Sequence, residues 1–166
     1  VYLVAAITPV ALFVFNRPEQ LKETLECLEK NKIDLLYIFA DGPRDERDIA
    51  GVDEVREIIN SIDWVKIKKY YRKNNLGLSD SIQSGLKEVF KEFKKAIVLE
   101  DDVCVAPNFY GYMKQCLEAY HDNYQIAGVT GLRYPFNRKN LDRNNSDVFI
   151  APRFSSWRWR QCVERN

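Results

Sequence analysis

Short apolar runs alternate with longer stretches of helical period along this chain. "PVALFVFNR" (Pro9–Arg17) is β-branched and aromatic and ends in a polar turn, which predicts a buried strand. Pro18 then opens a helix with Leu21, Leu25 and Leu28 on one face. "DLLYIFADG" predicts the next strand, ending at Asp41-Gly42-Pro43. Asp45–Ile62 is acidic at its start and apolar at Ile49, Val52, Val55, Ile59 and Ile62, as an amphipathic helix should be. "WVKIKKYYRK" alternates as a strand, and "NNLG" turns the chain. Leu78–Phe93 predicts a helix with Leu78, Ile82, Leu86, Val89 and Phe93 facing inward. "AIVLE" is the fourth expected strand, and Pro107–Asn123 a helix carrying Phe109, Met113, Cys116, Leu117 and Tyr120. Later strands are expected at "QIAGVTG" and "DVFIAPRF", with a long polar loop, Leu132–Asp147, between them. This strand–helix rhythm predicts an α/β fold with a mostly parallel central sheet and helices on both faces.

Composition narrows the picture. A length of 166 residues with 46% hydrophobic content fits one domain spanning 1–166. The charge is balanced, 25 Lys+Arg against 24 Asp+Glu, so no polyanion-binding field points to nucleic acid. The apolar start, "VYLVAAITPVALFVF", lacks a basic leading region, holds Pro9 in its middle and is shorter than the roughly 20 residues a membrane-spanning helix needs. It reads as a leader and a buried strand, with no transmembrane segment. Cys27, Cys104, Cys116 and Cys162 form no CxxC pair, and His121 is the lone histidine, which argues against structural zinc. The cysteines read as reduced, mostly buried thiols, and the protein as cytoplasmic, at most peripheral to a membrane.

The candidate chemistry sits at the ends of the strands. In open parallel sheets, ligands bind beyond the carboxyl ends of the strands. The first expected strand ends at Asn16-Arg17, the second at Asp41, the third near Arg72-Lys73 and the fourth at Glu100-Asp101-Asp102. Polar groups distant in sequence are thereby brought to one rim. Three adjacent acids repel one another unless a divalent cation, hydrogen-bond donors or water offset their charge. Oxygen ligands suit Mg²⁺ or Mn²⁺, held by one or two carboxylates with waters and phosphates completing the shell. Extended backbone would put Glu100 and Asp102 on one side and Asp101 on the other. Arg44 and Arg72 read as solvated surface, with contact to phosphate the alternative, His121 as a surface or capping residue, and Tyr70, Tyr71, Phe109, Tyr110 and Tyr112 as packing.

Together, "FVFNRPEQLKETLECL", "IFADG", "NNLGLSDSIQSGLKEVFKEFKKAIVLEDDVCVAPNFYGYM" and "GVTG" resemble nucleotide-sugar glycosyltransferases of the GT-A fold. They are similar to N-acetylglucosaminyltransferase I and its bacterial relatives. The resemblance runs from about Val10 to Phe154 and is densest over Leu86–Met113. It implies metal-dependent, inverting transfer from a UDP-sugar donor to a hydroxyl of a glycan or other acceptor. Glu100-Asp101-Asp102 matches the DXD-type motif. Asp102 would bind Mn²⁺ (or Mg²⁺), and Glu100 and Asp101 would contact the donor's ribose and sugar or position the metal's waters. Arg17 and Asp41 match residues that hold the nucleotide base, and Ser81 falls where the family can use a histidine near the donor. In the family the catalytic base follows the strand matching "FIAPRFSSW"; here "SSWRWRQCVERN" follows, and no base is assigned. The chain is therefore expected to lack a C-terminal acceptor-binding part, with Trp157 and Trp159 the candidates for an acceptor wall. The alternatives are a non-catalytic or truncated nucleotide-sugar-binding domain, and a nucleotidyltransferase. The latter usually carries a Gly-rich phosphate loop where this chain reads "NRPEQ".

Overall fold

In the computed structural model, residues 7–126, 128–131 and 160–163 are described. The fold is α/β. Strands β1 (Val10–Val14), β2 (Leu36–Ala40), β3 (Ile67–Tyr71) and β4 (Lys95–Glu100) run parallel, and β5 (Arg160–Val163) pairs antiparallel with β4. The sheet order is β3-β2-β1-β4-β5. β1 and β2 are buried at every position, as expected of strands with neighbours on both sides and helices over both faces. That environment explains their unbroken apolar runs. β3 lies at the edge and is half-buried, which matches its alternation.

Helices α1 (Pro18–Lys30), α2 (Glu46–Asn60), α3 (Leu78–Phe90) and α4 (Phe109–Ala119) link the strands and cover the sheet. Side chains of β1, β2 and β4 split between two clusters. Leu12, Ile38 and Leu99 pack with Leu21, Leu25 and Leu28 of α1, Val55 and Ile59 of α2 and Met113 of α4. Phe13, Tyr37, Phe39 and Val98 pack on the opposite face with Ile82 and Val89 of α3. There Phe39 stacks on Phe13 and Tyr70, at centroid distances of 5.0 and 4.8 Å. Each fully buried Leu, Ile or Phe contributes about 1.5–3 kcal/mol.

Several expectations are corrected. Ile49 and Leu78 are exposed rather than inward. Each sits near the start of its helix, α2 or α3. Residues 125, 126 and 128–131 form no strand. "DVFIAPRF", the loop from Leu132 to Asp147, Trp157 and Trp159 lie outside the described residues. The strand Arg160–Val163 had no counterpart in the sequence reading. Cys27 and Cys104 are not thiols: they form a disulfide, with Cα atoms 5.7 Å apart across 77 positions, whereas Cys116 is a buried free thiol. The fold brings α1 and the segment after β4 together, a proximity invisible in linear spacing. The cysteine argument for a cytosolic setting therefore lapses, because disulfides persist in oxidising environments. Among the described residues no helix is long and apolar enough to cross a membrane.

Candidate functional site

The chain leaves β1 for β2 on one side and reaches β4 on the other, so the carboxyl ends of β1 and β4 flank a topological switch point. A cleft of about 380 Å³ opens at this edge. Its wall includes Phe15 and Arg17 after β1, Asp41 after β2, Glu100 and Asp101 at the end of β4, and Gly77, Leu78 and Ser81 at the start of α3. Five of the six residues proposed from sequence thus line one cavity. The sixth, Asp102, joins them through Arg17.

Arg17 is the hub of the acidic side. One guanidinium nitrogen pairs with Asp101 Oδ1, and Nη1 donates to Asp102 Oδ2 at 3.1 Å. Asp101 is 2% exposed and also accepts from the Phe15 backbone N–H at 3.3 Å. Burial pushes its carboxyl above the usual range, while Arg17 and the Phe15 N–H pull it back. Asp102 remains exposed, and Glu100 is half-buried. The expected alternation of the three acids fails after Glu100, because β4 ends there and Asp101-Asp102 form a turn. Asp101 turns inward to Arg17 and the Phe15 N–H, and Asp102 stays at the rim.

The turn is braced from behind. Thr24, buried in α1, donates its hydroxyl to the Asp101 carbonyl at 2.9 Å and accepts from the Val103 N–H at 3.2 Å. Three residues on, Cys27 carries the disulfide to Cys104. One turn further, Asn31 donates to the Ala106 carbonyl and accepts from the Tyr110 N–H, both at 3.0 Å. Thr24 and Cys27 of α1 and its C-cap Asn31 thereby hold the whole segment from the acids to α4. The sequence carried a signal for Thr24: it is a polar residue on the face formed by Leu21, Leu25 and Leu28.

Asp41 lines the cleft, but its carboxylate serves the backbone first. It accepts from the N–H groups of Gly42 (3.0 Å), Leu76 (2.9 Å) and Gly77 (3.1 Å). Asn75 adds a bond from its side-chain amide to the Gly42 carbonyl at 3.0 Å. Gly77 has φ +76°, a conformation available essentially to glycine, and leads directly into α3. Ser81 is buried, and its carbonyl accepts from Arg72 at 3.3 Å. Arg72 also donates to Ser84 Oγ at 2.8 Å, so it joins β3 to α3 rather than forming a solvated face.

Sequence reasoning missed Asp48, named Asn16 only as a strand end at the rim, and read Arg44 as solvated surface ahead of phosphate contact. Asp48 is 5% exposed although it lies in the acidic first turn of α2. It accepts from Arg44 Nε (2.8 Å) and Nη2 (3.0 Å), from the Arg44 N–H (3.1 Å) and from Asn16 Nδ2 (2.6 Å). Hydrogen bonds from the Arg44 side chain dominate and hold its carboxyl at about 2. Arg44 lines the cleft, with its guanidinium carbon 5.0 Å from the Phe15 ring centroid. The i,i+4 spacing of Arg44 and Asp48 was the available signal. His121 is a surface residue, 3.2 Å from Asp122.

Among the described residues no three His, Cys, Asp or Glu side chains converge in a metal-holding group. The oxygen donors at the cleft rim still suit a hard cation that takes one or two carboxylates and completes its shell with water and phosphate. Asp102 is the exposed carboxylate of that set, whereas Asp101 is buried against Arg17.

No family model matches the sequence, and no curated protein does. Solved structures do. One is the mannosyltransferase PcManGT from Pyrobaculum calidifontis, determined in complex with GDP-Man and Mn²⁺; it matches with 11% identity and a TM-score of 0.54 over 81% of this chain and 38% of that one. Another is Rv0371c from Mycobacterium tuberculosis H37Rv, with 16% identity and a TM-score of 0.41 over 70% of this chain and 62% of that one. This chain thus spans well under half the length of the mannosyltransferase. The α/β fold described above is similar to that of this mannosyltransferase.

Proposed function

We propose that the cleft binds a nucleoside-diphosphate sugar and that the chain is the donor-binding domain of a metal-dependent glycosyltransferase. The observation that carries this reading is the convergence of Arg17, Asp101 and Asp102 at the switch point between β1 and β4. A diphosphate needs positive charge; because Arg17 at the cleft wall is already paired with Asp101 and Asp102, a metal ion would supply most of it. Asp102 would hold Mn²⁺ or Mg²⁺, and Glu100 would contact the donor or position the metal's waters. When bound, such an ion acts as a Lewis acid that neutralises charge developing on the leaving diphosphate. Asp101 anchors Arg17, and Thr24 keeps the turn rigid. Ser81 and Asp41 shape the donor side, and a UDP-sugar donor with a glycan or other hydroxyl acceptor completes the reading. The fold likeness to a protein solved with GDP-Man and Mn²⁺ supports the donor class.

Calorimetric titration of UDP, with and without Mn²⁺, tests the proposal. Metal-dependent binding that Asp102→Ala abolishes is expected. Binding of UDP that ignores both the metal and the substitution would overturn the metal role. Tighter binding of a nucleoside triphosphate would favour a nucleotidyltransferase.

A further inference from the structure

Arg44 stands on the β2 side of β1, opposite the acidic turn after β4. Its guanidinium is a fixed plane. Asp48 grips Nε and Nη2 at 2.8 and 3.0 Å, and Asn16 steadies Asp48 from the other side at 2.6 Å. The plane lies over Phe15, 5.0 Å from the ring centroid, yet the side chain is 63% exposed. Burying an aspartate to immobilise an exposed arginine gains little for a solvated face, because exposed ion pairs contribute little to stability. A fixed aromatic–guanidinium wall inside a cleft has another use: it presents a flat surface and outward N–H donors.

We propose that Phe15 and Arg44 form the nucleobase end of the cleft. In this arrangement Arg44 selects bases that present carbonyl acceptors (uracil and guanine) over bases that present an amino group at the same edge (cytosine and adenine). This inference rests on the nucleotide-sugar reading of the cleft. Guanidinium donates and never accepts. It can bond to uracil O4 or to guanine O6 and N7, but it meets the amino group of cytosine or adenine donor to donor. Asp41 also lines the cleft, and its carboxylate accepts the backbone N–H groups of Gly42, Leu76 and Gly77. The Arg44→Lys comparison separates base reading by Arg44 from base reading by Asp41.

The test is calorimetry of the full chain with UDP, GDP, CDP and ADP, each in excess Mn²⁺. UDP and GDP should bind about tenfold or more tightly than CDP and ADP. Arg44→Lys keeps the charge but loses the planar fork; it should bring the four affinities to within about threefold of one another. Phe15→Leu should weaken all four together, as loss of a shared stacking surface would. Ratios within one protein are insensitive to a fraction that fails to fold, and wild-type ratios alone decide the base preference should the lysine variant not fold. Equal binding of all four by the wild type, or an unchanged ratio in Arg44→Lys, would overturn this inference and leave the donor-site reading standing. Failure of all four to bind would overturn both.

Discussion

Asp101 and Asp102 are neighbours in sequence with opposite tasks. Asp101 is buried and completes a structural pair with Arg17; Asp102 is exposed at the rim. Asp101→Asn should therefore lower unfolding stability by about 1–3 kcal/mol, since it weakens a buried acceptor facing a cation. Asp102→Ala should change it by less than about 1 kcal/mol while acting on ligand binding. Urea unfolding of the two variants checks this; equal losses would contradict the division. Asp48 makes a prediction in pH. Its folded-state carboxyl is depressed from 3.8 to about 2, so the unfolded chain binds more protons between those values. The stability it contributes is complete above about 4 and is lost as pH falls through about 2. Melting temperature should drop more between pH 7 and pH 3 in the wild type than in Asp48→Asn. Parallel drops would mean that other carboxylates govern acid sensitivity.

At the scale of elements, the link between β2 and the start of α3 depends on close backbone approach. A Cβ at Gly42 would lie 2.6 Å from the Asn74 carbon and the Lys73 oxygen, both backbone atoms that cannot swing away. Gly42→Ala should cost about 1–3 kcal/mol and loosen the cradle in which Asp41 holds Leu76 and Gly77. Gly111 in α4 is the contrast, because a Cβ there meets nothing within 4 Å. Gly111→Ala should stabilise by about 0.5–1 kcal/mol through helix propensity. Chemical denaturation of both variants reads the signs. The loop signal at Gly42 was legible, since Asp-Gly-Pro marks a turn. Its partner, the loop after β3, was not, because parallel pairing of β2 and β3 brings it there.

Across the whole molecule, the Cys27–Cys104 bridge closes a loop of 77 positions between α1 and the segment that follows the acids. Constraining an unfolded chain over that separation is worth about 4 kcal/mol. Dithiol reductant should lower the melting temperature of the wild type and leave Cys27→Ser unaffected; equal responses would contradict a bridge in the folded protein. The rungs at Thr24 and Asn31 flank the bridge, so the acidic turn is set by α1 as much as by the strand that delivers it. Apolar runs and helical period sufficed, from sequence alone, for four parallel strands and four helices, because burial on both faces of a sheet demands unbroken hydrophobicity and a covering helix demands a stripe. They also placed Arg17, Asp41 and the acids on one edge, since parallel strands share a carboxyl end. Only the tertiary structure decided the partners. Which carboxylate is buried, which arginine is immobilised and which cysteines meet depend on distances between segments tens of residues apart, and those distances are set by the packing of α1 and α2 against the sheet.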